Sequence, residues 1–436
     1  MNVQTVSLPI DPPAQPKWLG ARLSVLHFLQ WAVWGLWGPI LTRYLGAGVV
    51  KGGLGFSDLQ IGLLFGVSGS VGAISAPFLV GQIADRHFRT ERIMAGLLVI
   101  IGILWLIMAY QREFWAWMAL FVAASIVGAP MIALSNSLSF AHMTDARRQF
   151  PRVRVWGTIG WIVVAWAFPM IWLQTDLEWI GLPPFFKGQE IAGVTSHQID
   201  SLKAAGMLAF VYAAYCLTLP TTQPKRDARD RLAFRKAFGL FRRKSFAVLM
   251  LAGLMIAAIH SIYFIQTAKF LPTLGVRDSD IQPAMSVGQL AEIPMMVVVG
   301  YLLKHLGFRW VLTIGATAYV VRFAVFGTTH LPVELIIASQ GLHGVCFACY
   351  YASAFIYVDR LADEDVRHSA QTVMGVFLGI GPILGGLLNG ALAEAFTPEG
   401  GKIVDYSPFW YCVGGVGFVA MLLLALLFRD ETQAKG

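Results

Sequence analysis

Gln289 and Glu292 lie three positions apart in the middle of an apolar run from Ile281 to Leu303. A run of about 20 apolar residues can cross a bilayer as one helix. A carboxylate near the centre of such a helix costs at least roughly 2.5–3.5 kcal/mol. It is tolerated where it meets a partner or a water-filled path. Residues three apart share a helix face, so this face offers an amide and an acid whose proton can come and go.

Other polar groups fall at comparable depth. Arg154 opens an apolar run, and Thr158 and Trp161 follow at i+4 and i+7. His260 shares a face with Tyr263 and Thr267, with Gln266 on the adjacent face. His343 shares a face with Phe347 and Tyr351, and Gln30 with Trp34. Trp34, Trp161 and Phe347 are suited to stacking a flat ring. Gln30, Thr158, Tyr263 and Gln289 can hydrogen-bond hydroxyls or a heterocycle. One acid and one arginine complete an inventory that fits a neutral polar solute. Lys269 and Arg322, near helix ends, read as snorkelling side chains. There is no metal-ligand cluster and no nucleophile–base pair, so neither metal, cofactor nor enzymatic activity is expected. Cys346-x-x-Cys349 lies inside an apolar segment without a second pair and reads as helix packing.

These residues need a membrane scaffold to position them. The chain of 436 residues is 56% hydrophobic and only 13% charged, with mean hydropathy +0.63. Soluble domains carry about 25% charged residues. The apolar residues form twelve runs, at about 20–42, 58–82, 91–110, 115–140, 153–174, 203–220, 246–271, 281–303, 309–327, 332–358, 368–393 and 407–428. No cleavable signal peptide is expected ahead of the first. Loops between runs two and three, four and five, six and seven, eight and nine, and ten and eleven carry most of the loop Lys and Arg. The positive-inside rule then puts both termini in the cytoplasm. The net charge of +8 is explained by orientation and anionic lipid, so no nucleic-acid partner is expected. The basic stretch 221–245 divides residues 1–220 from 246–436, six runs on each side. The loop at 175–202 is the longest on the outer side, and the sequence assigns it no function.

After the second run the chain reads Gly81-x-x-x-Asp85-Arg86-x-x-Arg89, and a related turn, Gly300-x-x-x-Lys304-His305, follows the eighth. The first pattern resembles the signature of the major facilitator superfamily. The resemblance implies an all-α membrane protein of two six-helix bundles with substrate between them, and a gating role for Gly81, Asp85, Arg86 and Arg89.

Further stretches narrow the resemblance. Phe28-Leu29-Gln30 with Trp34-Gly35 and Trp37, Arg154-Val155-Trp156-Gly157-Thr158-Ile159-Gly160, Gln289-x-x-Glu292, Arg322-Phe323-Ala324, Ser369-Ala370-Gln371 and Gly385-Gly386 are similar to bacterial nucleoside:proton symporters. That family implies nucleoside contacts at Arg154, Thr158, Gln289, Glu292 and Phe347. Trp161 stands where the family has phenylalanine, His343 where it has tyrosine, and Ala348 where it has an acid.

The expected protein is therefore a monomeric, multi-pass transporter of the bacterial inner membrane that imports nucleosides with protons. Glu292 is the expected proton-coupling group, and Gln30, Trp34, Arg154, Thr158, Trp161, His260, Tyr263, Gln289, Glu292, His343 and Phe347 are the expected lining. The alternatives are a sugar or oligosaccharide:proton symporter on the same fold, and an uncoupled nucleoside facilitator.

Overall fold

The computed structural model describes residues 18–79, 89–222, 238–363, 367–396 and 405–431. Nine helical stretches among the described residues are long and apolar enough to cross a membrane. We label the long helices in chain order. In the first half they are α1 (Leu19–Trp37), α2 (Asp58–Leu79), α3 (Thr90–Ala109), α4 (Phe114–His142), α5 (Ala146–Trp172) and α6 (Asp200–Cys216). In the second half α7 is Lys244–Phe270. The stretch Ile281–Gly327 turns at Gly307, whose φ of 72° and ψ of 170° are not helical, giving α8 before it and α9 after it. Then come α10 (Val333–Leu361), α11 (Arg367–Ala395) and α12 (Tyr406–Leu427). Gly307 sits where a left-handed φ is needed, a conformation glycine adopts without a Cβ penalty.

Two apolar cores organise the helices. One draws on residues from Leu19 to Leu219, joined by Ile265. The other draws on residues from Leu240 to Phe428. The halves meet where α2 packs on α11 and α5 on α8. At the first of these contacts a Cβ on Gly62 would lie 2.3 Å from the Gly386 carbonyl oxygen. Small residues let two backbones approach this closely, which compensates for the weak hydrophobic drive between helices in lipid.

The all-α expectation needs one amendment. Residues Gln174–Trp179 and Phe186–Glu190 pair as an antiparallel hairpin, β1 and β2, with Gln174 opposite Glu190 and Trp179 opposite Phe186. Thr175, Trp179 and Phe186 favour a pleated backbone, and Trp179 stacks on Phe185 with centroids 5.3 Å apart. At the start of α6, Asp200 accepts hydrogen bonds from Lys203 Nζ (2.7 Å), Trp172 Nε1 (3.0 Å) and His197 Nδ1 (3.1 Å). Burial alone pushes this carboxyl up, but the three donors outweigh it and hold the group below the usual carboxylate range. A depressed pKa stabilises the fold above the unfolded value, and that stability is lost as pH falls through the folded one. Asp200→Asn is expected to cost roughly 1–2 kcal/mol at neutral pH. In thermal unfolding of the solubilised protein, its gap from the parent should close below about pH 4.

Polar contacts between the halves gather at one end. Arg43 Nε bonds Asp278 Oδ1 at 2.8 Å, and Thr195 donates to Asp278 Oδ2 at 2.9 Å. The hairpin joins in: Glu190 accepts from the Ser279 amide at 2.7 Å, and Arg277 donates to the Gly188 carbonyl at 2.7 Å. Lys269 pairs with Asp58, which also accepts from Gln266 Nε2 at 2.7 Å. The snorkelling expectation for Lys269 is corrected. Its amine has a carboxylate from the opposite half to satisfy it and does not need to reach for water.

Candidate functional site

The site is set where α8 and α10 come together. Gly288 on α8 faces the His343 side chain, and a Cβ there would lie 2.9 Å from His343 Cβ. Gly344 on α10 faces the α8 backbone at Ala291 and Glu292. This close approach brings His343 Nε2 to 3.2 Å from Glu292 Oε1. The His343 side chain is buried, and that of Glu292 is 15% exposed. Gln289, one turn earlier, is buried, and its Oε1 has no partner. A buried amide oxygen without a donor is open to a ligand.

Behind His343 lies a layer of aromatic and cationic groups. The His260 ring stacks on His343 with centroids 5.4 Å apart and planes 20° apart, and Tyr263 stacks at 5.5 Å. His260 Nδ1 lies 2.7 Å from Tyr319 Oη. Tyr263 donates to Gln340 Oε1 at 2.6 Å. Arg322 donates from Nη1 to His343 Nδ1 at 3.1 Å, and its guanidinium lies 4.1 Å from the Tyr263 ring centroid. Arg322 is fully buried, which corrects the snorkelling expectation. The faces of Tyr263, Tyr319 and Phe323 surround the cation and stand in for its hydration.

The opposing face comes from α5 and α1. Gly35 and Gly160 let these helices pack backbone to backbone, and Gly157 makes room for the Trp31 ring. Arg154 lies 4.7 Å from the Trp31 ring centroid, and Trp31 meets Trp161 at 6.3 Å. Arg154 and Glu292, one from each half, are opposite charges that act on each other electrostatically without forming an ion pair. Thr158 lies on this side one turn beyond Arg154, half-buried.

The structure therefore brings Arg154, Gln289, Glu292, His343 and His260 into one neighbourhood. Tyr263 belongs to the layer behind His343 and is fully buried. Phe347 is half-buried, 6.1 Å from Tyr351. Gln30 and Trp34 find their partners within the first half. Gln30 is buried in the first half and accepts a hydrogen bond from Tyr212 on α6 at 3.2 Å. Trp34 packs on Trp37 and Trp105 and borders a cavity of about 180 Å³ between α1, α2 and α4. Gln266 is committed to Asp58 and Asn389. Of the gating motif, Arg89 is exposed and precedes α3, while Gly81, Asp85 and Arg86 lie outside the described residues. Ala348 is fully buried against Val299 and Val311. Cys346 and Cys349 are buried free thiols, and no group of potential metal ligands occurs among the described residues.

Three participants were missed in the sequence: Arg322, Tyr319 and Trp31. Tyr319 and Arg322 are one turn apart, a spacing that marks one helix face. That pairing was the available signal for a buried cation with an aromatic neighbour.

Comparison with known proteins places the chain. The model of a family described as nucleoside H+ symporter matches residues 18–433. The putative nucleoside transporter YegT of Escherichia coli (strain K12) is 30% identical over 425 residues, 95% of this chain and 94% of that one. The xanthosine permease of the same strain is 28% identical over 434 residues, covering 94% and 95%. The crystal structure of the nucleoside transporter NupG superposes with a TM-score of 0.78 at 24% identity, covering 94% of this chain and 99% of that one. This last likeness is one of fold.

Proposed function

The chain belongs to the nucleoside H+ symporter family, and we propose that Glu292 is the group whose protonation couples the two substrates. The protein is a multi-pass membrane transporter of nucleosides and protons, not an enzyme. The observation that carries our assignment is the setting of Glu292. It is an acid in an apolar helix, with one oxygen 3.2 Å from His343, beside the unpartnered Oε1 of Gln289 and under the influence of Arg154.

In our reading each of α1 to α12 crosses the membrane, and both termini are cytoplasmic. Residues 1–220 and 246–436 are two bundles joined by the basic stretch 221–245, a division supported by the two separate apolar cores. The protein works as a monomer in the lipid of the bacterial inner membrane. The end closed by Arg43–Asp278 and Lys269–Asp58 is then the outer one. Gln289, Thr158 and Arg154 hold the nucleoside, Trp161 and Phe347 flank its base, and His260 and His343 complete the wall. Arg89 serves the inner turn together with Gly81, Asp85 and Arg86.

Two expectations follow. Uptake of labelled uridine or adenosine should be competed by nucleosides, xanthosine included, and not by a panel of mono- and oligosaccharides. Sugar competition at similar concentrations would instead favour a sugar symporter. Asp278→Ala removes three cross-half bonds, two from Arg43 and one from Thr195, so separation at the outer end should become about tenfold more populated for each roughly 1.4 kcal/mol lost. Spin labels on cysteines introduced at Val50 and Thr273, both exposed, in a Cys412→Ser background would report it as a longer distance. An unchanged distance distribution would count against this gate.

A further inference from the structure

Arg322 is a fully buried cation, yet its Nη1 has one polar partner, His343 Nδ1, while Nε and Nη2 have none. A charge at that depth is costly and is retained where it has a task. Guanidinium nitrogens donate and cannot accept, so Nδ1 of His343 must be the acceptor in this bond. A neutral imidazole carries one N–H. With Nδ1 accepting, that hydrogen is on Nε2, which faces Glu292 Oε1 at 3.2 Å. A proton added to Nδ1 would set two donors and two positive charges against each other at 3.1 Å.

We propose that Arg322 is a positioning residue for proton coupling: it holds His343 as the neutral Nε2–H tautomer. His343 then sets its N–H beside Glu292, 3.2 Å from Oε1, and is barred from carrying the transported proton itself. This rests on the reading of Glu292 as the proton carrier and deepens it. His343 lies beside Oε1, 3.2 Å away, and no described residue engages Oε2. The proton from outer water bonds to Oε2 and later leaves from it to inner water, while the neutral Nε2–H stays beside Oε1 in both states. The arrangement separates two groups that could otherwise compete for one proton.

The surroundings of His343 agree with this division. From α7 it faces His260 and Tyr263, from α9 Arg322, and from α8 Glu292. Its own helix adds Cys346, one turn on, and Arg154 on α5 acts on Glu292. The cation bonded to the His343 ring is at the nitrogen that must stay unprotonated, and the anion is at the nitrogen that carries hydrogen.

Solid-state NMR of the reconstituted full chain, labelled with 15N-histidine, tests the proposal. The His343 signals are assigned by their loss in His343→Asn. The expected result is an Nε2–H tautomer that stays neutral between about pH 5 and 8. Arg322→Met should let His343 titrate, and nucleoside uptake should gain a pH limb near about 6.5. Arg322→Lys, which keeps a donor, should restore the tautomer and the parental profile. An Nδ1–H tautomer or an imidazolium in the parent would overturn the proposal, as would an Arg322→Met profile that superimposes on the parent. The parental spectrum decides the matter even where Arg322→Met does not fold. Full accumulation by Glu292→Gln would sink the coupling role of Glu292 and leave the tautomer result standing, so the two failures are distinct.

Discussion

Glu292→Gln is expected to abolish uphill nucleoside accumulation while retaining part of counterflow exchange. Glutamine matches the size of the acid and still offers an oxygen to His343 Nε2, so the contact at 3.2 Å has a replacement. What disappears is the ability to gain and lose a proton. Such a carrier resembles one that is permanently loaded. It can shuttle nucleoside for nucleoside across the membrane, but a pH gradient has nothing to act on. Exchange should fall about 10- to 100-fold, equivalent to roughly 1.4–2.8 kcal/mol, as the charge beside His343 and Arg154 is lost. Concentrative uptake should fall to background. Parallel assays of [3H]uridine counterflow and pH-driven uptake in proteoliposomes measure both. Equal loss in both assays would point to a folding or binding defect, and accumulation at parental levels would remove Glu292 from the coupling step.

The second large effect concerns packing. A Cβ at Gly344 would lie 2.4 Å from both the carbonyl carbon and oxygen of Ala291 and 2.7 Å from the Glu292 amide nitrogen. These are backbone atoms, which cannot swing aside as a side-chain tip can. Gly344→Val must therefore separate α10 from α8. Overpacking of this kind costs roughly 1–3 kcal/mol. The displacement also pulls His343 from Glu292, so transport should fall more than stability does. Thermal unfolding and uptake per folded protein measure the two effects. Gly375→Ala is the control, since nothing lies within 4 Å of its added Cβ, and it should change either quantity little. A Gly344→Val protein with parental uptake would show that the α8–α10 approach does not set the site.

Glycine spacing shows how far a sequence speaks. Gly62 and Gly66, and Gly381 and Gly385, are one turn apart, and each faces another backbone across a helix contact. Gly375 has the same spacing from Gly379 and faces open space. Spacing marks a face and leaves open what that face meets. The long apolar runs were readable because bilayer thickness imposes a length on them. The break between α8 and α9 was placed at 304–308, and the turn falls at Gly307.

Depth and partners were harder to read. Helix α1 is apolar on nearly every side, so its sequence does not show which way Gln30 points, and Tyr212 from a distant α6 decides it. Arg322 looked like a terminal cation because the ring that covers it, Tyr263, comes from α7. The π-helical segment Cys346–Ala352 within α10 was also hidden. Widening a helix by one residue per turn changes backbone hydrogen bonds, and side-chain periodicity over seven residues hardly registers it. Such bulges occur often at functional sites, and this one begins three residues after His343. The paired Glu292 and Gln289 were legible because a carboxylate in lipid is rare enough to need a reason.

The most direct measurement of the central claim is nucleoside uptake by purified protein in liposomes, with and without an imposed pH gradient, acidic outside. The account predicts that uridine or adenosine rises inside above its external concentration only while the gradient lasts, and that a protonophore returns it to equilibrium. Accumulation that ignores the gradient, or equilibration at the same level with and without it, would contradict proton-coupled nucleoside transport by this chain.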